Sequence, residues 1–270
     1  MLVFASCRSP SRFRMKNRLV TILFVAICCP SFLNAQDQPP LPGGGEATPV
    51  ESIALPAGFQ VELLRSARAN EGSWISMTFD DRGRLVLGRD ARGIVRLTLA
   101  PGGDGVERFE VLDDALRHCR GVLYAHDSLY VCATDSKGFY RLRDTTGDDQ
   151  FDDVQLLKSM DYEFRYGWGG NQVVLGPADQ IYLVMGNDVA MLDRPTYASP
   201  SRYPRDDHLL TEPRDAVESV RVGTIVRTDP EGRRWEVLAG GFRNQFDLAF
   251  NDEGEMFTYD ADMEWDVGLP

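Results

Sequence analysis

Two adjacent residues, Arg243 and Asn244, carry the clearest chemical signal in this chain. A guanidinium offers a rigid fork of N–H donors, and an amide adds both a donor and an acceptor. Together they suit a planar anionic ligand. A second signal is the acidic run from Asp144 to Asp153. Oxygen-bearing side chains fall there at every other position: Asp144, Thr146, Asp148, Gln150 and Asp152. That spacing lets a tight loop wrap its oxygens around a hard cation such as calcium. Two positions depart from the EF-hand pattern. Asp149 stands where the sharp turn wants glycine, and Gln155 where a bidentate glutamate closes the loop. A solvated acidic loop between strands is the alternative. The third signal is the stretch Tyr162 to Gln172, where three glycines and several aromatic residues surround Arg165 and lead to Asn171. It reads as a flexible, aromatic-lined ligand loop, with packing by Tyr166 and Trp168 as the alternative.

Several chemistries lack their residues. His118, His126 and His208 have no metal-ligand spacing, so zinc has no support. No Cys-x-x-Cys-His occurs, hence no covalent c-type haem in this chain. No dinucleotide fingerprint follows a strand, and the phosphate-binding loop and the serine-hydrolase elbow are missing.

The elements that must position these residues are strands. Arg243-Asn244 precedes a strand–turn–strand pattern: Phe246 to Phe250, a turn at Asn251 to Gly254, then Glu255 to Tyr259. The same pattern occurs at Met77–Val86, Val122–Val131 and Val173–Tyr182. Its anchors Phe79, Tyr124, Leu175 and Phe250 are 45, 51 and 75 residues apart. The first two spacings fit one four-stranded propeller blade per repeat, and the third fits a blade with a long insertion. No helix of three turns is expected beyond the N-terminus. The predicted fold is all-β, a β-propeller of four-stranded antiparallel blades.

Arg8, Arg12, Arg14, Lys16 and Arg18, the short apolar run Leu19–Cys28, and Leu33-Asn34-Ala35 read as a secretory signal peptide over residues 1–35. Residues 36–51, rich in Pro and Gly, read as a linker, and 52–270 as the propeller. No later segment is apolar enough to span a bilayer, so the expected location is periplasmic or secreted. Cleavage removes five positive charges and no negative one, taking the formal charge from −12 to −17. Such a surface repels nucleic acid. Cys119 and Cys132 remain, on the two arms of one predicted hairpin. Either they form a cross-strand disulfide or they are two buried thiols, and a register error of one residue separates the two outcomes.

Leu55–Leu63, the loop before Asn171, and Gly241-Phe-Arg-Asn-Gln-Phe-Asp-Leu-Ala-Phe250 together resemble the propeller domain of planctomycete-type secreted "membrane-bound dehydrogenase" proteins, also described as haem-binding. That domain is similar in turn to soluble glucose/sorbosone dehydrogenases, six-bladed propellers using pyrroloquinoline quinone (PQQ) and calcium. The resemblance implies oxidation of an aldose or alcohol by hydride transfer to PQQ, with Arg243 and Asn244 contacting the quinone. It also places Asn171 where the family has its catalytic His. An amide cannot take a proton at neutral pH. The resemblance therefore leaves a second reading: a non-catalytic propeller that binds carbohydrate or a protein partner. A third is a scaffold for a downstream cytochrome c module, the electron acceptor of longer relatives. About four blades fit in 52–270 and Asp262–Pro270 reads as mid-blade, so a six-bladed ring would be incomplete in this chain.

Overall fold

Asp80, Asp229 and Asn251 perform the same local task. Each opens an Asx-x-x-Gly turn whose glycine has positive φ: Gly83 at 73°, Gly232 at 67° and Gly254 at 79°. In each, the Asx side-chain oxygen accepts a backbone N–H two or four residues on, at 2.8–3.1 Å. Such side chains replace the backbone partner that a tight turn lacks. The turn between Ala125 and Ser128 uses another device, with His126 and Asp127 both at positive φ (50° and 51°), as a two-residue hairpin loop requires.

The computed structural model describes residues 47–68, 71–162, 169–186, 188–191 and 223–261. The signal peptide, most of the linker, the aromatic loop at 163–168 and the terminal 262–270 lie outside the described residues. The first sheet has β1 Trp74–Phe79, β2 Leu85–Arg89, β3 Ile94–Leu99 and β4 Val106–Asp113. The second has β5 Cys119–Ala125, β6 Ser128–Ala133, β7 Gly138–Arg143 and β8 Asp153–Tyr162. The third contains β9 Gly170–Leu175, β10 Ile181–Met185, β12 Gly223–Thr228 and β13 Trp235–Phe242. Between β10 and β12 comes β11 Val189–Met191, and β14 Leu248–Phe250 with β15 Met256–Thr258 begins a further blade.

Strands follow chain order across each sheet and every pairing is antiparallel. This is the β-propeller arrangement, and among the described residues helix is limited to two short 3₁₀ turns. One sheet departs from the four-stranded expectation. β11 leaves its own blade and pairs with β8, making the second sheet five-stranded. The expected insertion lies between β10 and β12 of the third blade.

Blade stacking explains why β6 and β10 are buried along their whole length, while the outer face of β2 is covered by its own sheet and Leu64. Successive residues of a strand face opposite sides. In an inner blade both sides meet another sheet, so both must be apolar. Leu129, Val131 and Leu142 therefore pack on Val86 and Ile94 of the first blade. Their alternates Tyr130, Cys132 and Phe139 pack on Val173, Leu183 and Trp235 of the third. Tyr182, Val184 and Ile225 continue the stack towards Leu248.

The cysteines follow this alternation. Arg120 is an extra residue in β5, a bulge, so Cys119 pairs with Ala133 while Gly121 pairs with Cys132. The thiols consequently fall into different interfaces, Cys119 against the first blade and Cys132 against the third. Both are free and buried, and burial pushes each thiol up to about 12. Thiol reagent is expected to label neither residue in the native protein and both in denaturant without prior reduction. Labelling that required reductant would contradict this arrangement.

Candidate functional site

Strand direction gives the blades two distinct ends. β1, β5, β9 and β14 are neighbours from blade to blade and lie nearest the axis. Chain entry to these strands occurs at the same end as the β2–β3 and β6–β7 turns. The β1–β2, β5–β6, β7–β8 and β9–β10 turns occupy the opposite end.

The entry end holds Arg243 and Asn244, between β13 and β14. Their backbone N–H groups donate to the two carboxylate oxygens of Asp260, each at 2.8 Å. Arg243 is buried and Asn244 half-buried. Asn171, near the start of β9, is 1% exposed. Its amide nitrogen donates to Asn244 Oδ1 at 2.9 Å and to the Gln245 carbonyl at 2.7 Å. The structure thus brings together the three residues singled out for catalysis or cofactor contact. Asn171 is a fixed hydrogen-bond bridge between two blades. Gln245 supports it from beneath, fully buried, donating to the carbonyls of Met185 and Thr224 at 3.0 and 2.8 Å.

Two further residues complete this end. Arg120 Nη1 donates to Asn171 Oδ1 at 3.3 Å, and its Nε donates to His118 Nε2 at 2.9 Å. His118 is buried and its φ is 57°, the left-handed region that costs a non-glycine residue energy. Its ring bridges the β2–β3 and β6–β7 turns: Nε2 lies 2.8 Å from Asp90 and Nδ1 3.4 Å from Asp135. Burial works against a charge on this ring, but its hydrogen bonds to the carboxylates of Asp135 and Asp90 outweigh it and raise its pKa. Both carboxylates are lowered in return, chiefly by their hydrogen bonds to His118. Three of the four inner strands are bulged near their entry: β1 at 74–76, β5 at Arg120, and β9 opposite Leu183–Met185. A bulge re-aims a side chain, and here two of the three fall at Arg120 and next to Asn171.

The acidic loop is at the other end, joining β7 to β8. The carboxylates of Asp144, Asp148 and Asp152 are engaged within the loop itself. Asp144 accepts the N–H groups of Thr146, Gly147 and Asp149 at 3.2, 2.7 and 2.7 Å, the same Asx-x-x-Gly device found in the other turns. Asp152 accepts from the backbone N–H and hydroxyl of Thr145. Asp148 receives Gln150 N–H at 3.1 Å. Among the described residues no three His, Cys, Asp or Glu side chains are grouped to hold a metal ion. Asp149, where an EF-hand has glycine, instead reaches the first blade. Arg84 holds it with two hydrogen bonds of 2.5 and 2.8 Å, Arg96 with two of 3.0 and 3.1 Å, and Arg82 lies 3.3 Å away.

With three antiparallel sheets stacked about one axis, a hairpin starting the next, and polar residues gathered at the strand entries, the molecule is a β-propeller. Residues 46–266 match the model of a family described as a domain of unknown function, DUF7133, and the chain belongs to that family. No curated protein matches it. Solved structures resemble it at low identity. The PQQ domain of pyranose dehydrogenase from Coprinopsis cinerea is 14% identical with a TM-score of 0.48, over 70% of this chain and 44% of that one. The PQQ-bound aldose sugar dehydrogenase of Streptomyces coelicolor is 15% identical with a TM-score of 0.45, over 69% of this chain and 58% of that one. A nidogen/laminin complex is 14% identical with a TM-score of 0.48, over 73% of this chain and 60% of that one. The chain thus spans about half the length of the structures it resembles. No helix among the described residues is long and apolar enough to cross a membrane.

Proposed function

We propose that this is an exported propeller that binds an anionic quinone of the PQQ type at the entry end, in the service of sugar or alcohol oxidation. One observation carries the reading: the Asn171–Asn244 bridge. It uses Asn244 Oδ1 but leaves the Asn244 amide nitrogen with no protein acceptor among the described residues, while the guanidinium of Arg120 holds the other atom of the same Asn171 amide. A donor amide next to a cation fits the carboxylates and carbonyls of such a quinone. When bound, PQQ would supply a two-electron acceptor for hydride from an alcohol carbon. The chain's own residues orient the ligand through Asn244 and Arg243 and fix the bridge through Asn171 and Gln245. Asn171 takes no proton. A soluble cytochrome is the electron acceptor consistent with export. The residues proposed for calcium, Asp144 to Asp152, lie at the far end and do not fit a role at this site, so no step runs through the metal.

Titrating the protein with PQQ and following its absorbance tests the reading. Saturable binding is expected, and Asn244→Ala should weaken it about tenfold, the worth of one hydrogen bond to a charged group. No binding at saturating quinone would sink the proposal. Reduction of a redox dye across a sugar panel, with PQQ and calcium added, then separates an enzyme from a binding propeller. The buried amide at Asn171, in place of a base, favours the binding propeller as the second reading.

A further inference from the structure

His118 Nε2 has two neighbours with opposite requirements. Arg120 Nε–H, at 2.9 Å, needs a lone pair on that nitrogen. Asp90 Oδ1, at 2.8 Å, needs a proton on it. One ring nitrogen cannot serve both at once. With His118 neutral and its proton on Nδ1 towards Asp135, Nε2 accepts from Arg120. With His118 protonated, both ring nitrogens donate, to Asp90 and Asp135, and Arg120 Nε faces a like charge and loses its acceptor. Arg120 still touches Asn171, which holds Asn244.

We infer that Arg120 is an anion-binding residue of the entry-end site and that the proton on His118 determines whether it is available. The ligand class is a carboxylate-bearing anion, and this part rests on the reading that Asn171 and Asn244 border the ligand. The bulge at Arg120 supplies the means. An extra residue in β5 turns this side chain out of the ladder, where it spans from His118, just before its own strand, to Asn171 on the next blade. The cost of holding His118 at a positive φ is borne at this same point. The groups facing His118 are Asp90 from the β2–β3 turn, Asp135 from the β6–β7 turn and Arg120 from β5. Further out, Arg117 acts on Asp135, and Tyr162 feels both Asp135 and Arg120.

Linkage fixes the sign. An anion that takes up Arg120 favours the protonated ring, so it raises the His118 pKa, and protonation tightens anion binding by the same factor. Affinity should rise as pH falls through the His118 titration. His118 acts here as a positioning residue.

The test has two arms on the intact protein. In the first, NMR follows the His118 ring and the Arg120 Nε–H signal from pH 5 to 9 without ligand. The Arg120 signal should move with the His118 titration, and Arg120→Gln should raise the His118 pKa by removing the donor that stabilises the neutral ring. Asp90→Asn should lower it. An Arg120 signal indifferent to that titration, or a His118 pKa unchanged in Arg120→Gln, would overturn the inference. The second arm measures PQQ affinity across the same range. The wild type should bind about tenfold more tightly below the titration than above it. His118→Gln should abolish that dependence, and Arg120→Gln should be weak at every pH. Equal pH dependence in wild type and His118→Gln would refute the ligand half. Failure of PQQ to bind any of these proteins would refute the proposed function and the ligand half with it, while the first arm still decides the His118–Arg120 coupling. Circular dichroism confirms that each variant is folded.

Discussion

Replacing Asp149 with alanine is expected to lower stability by about 3 kcal/mol, read as a shift in the urea midpoint. Asp149 is the single carboxylate onto which Arg84, Arg96 and Arg82 converge across the interface of the first two blades. The Arg96 side chain is 3% exposed and that of Arg84 12%. Removing the shared carboxylate leaves two buried guanidiniums short of charge, which costs more than the pair's own net worth. Asp80 and Glu110 remain as partial compensation, which keeps the loss towards the low end. The same brace has a pH signature. The Arg84 hydrogen bonds, ahead of the charges of Arg96 and Arg82, hold the Asp149 carboxyl down at about 2 against an ordinary 3.8. A depressed carboxylate contributes its stability above the ordinary value and loses it as the proton returns. Stability should therefore fall between about pH 4 and 2, and Asp149→Ala should flatten that decline. An unchanged midpoint in the variant would show that the arginines are satisfied without it.

Phe139→Ala is expected to cost about 3–5 kcal/mol. Phe139 is fully buried in β7, stacked on Tyr130 at 5.9 Å and meeting the edge of Trp235 from the third blade at 5.9 Å. The ring is thus the contact between two blades as well as part of one. Neighbouring sheets are fixed by their own ladders and cannot close over the gap, so little of the cavity would collapse. The loss should appear in both equilibrium unfolding and protease resistance, while Phe139→Leu should recover more than half. A loss below about 1 kcal/mol would mean that the second and third blades are not held by this cluster.

The strand hairpins were legible because alternation and turn chemistry repeat with the blade. All four predicted strand pairs form, with the last trimmed to Leu248–Phe250 and Met256–Thr258. The use of the Asp144 loop was not legible for a physical reason: Asp-x-x-Gly both wraps a cation and caps a turn, and local spacing does not separate the uses. Asp80, Asp229 and Asn251 show the same residue types capping turns. Arg243, Asn244 and Asn171 were singled out from sequence and lie together in the structure, whereas their neighbours Arg120 and His118 were not singled out, since contacts between blades join residues about fifty positions apart. A signal for Arg120 existed. It stands four residues before the anchor Tyr124, as Asn171 stands four before Leu175. The bulge that aims it leaves no trace in composition, which is also why the separate facing of Cys119 and Cys132 could not be settled from alternation.

The insertion in the third blade departs after β10 and returns at Gly223, at the entry end. The ladder beneath it, from Ile181–Thr228 to Met185–Thr224, is continuous and owes nothing to what is inserted. Residues 192–222 can therefore lengthen, shorten or change sequence over evolutionary time without altering the register of any blade. That segment is free to diverge quickly, while the stack that carries the Asn171–Asn244 bridge is constrained to change slowly.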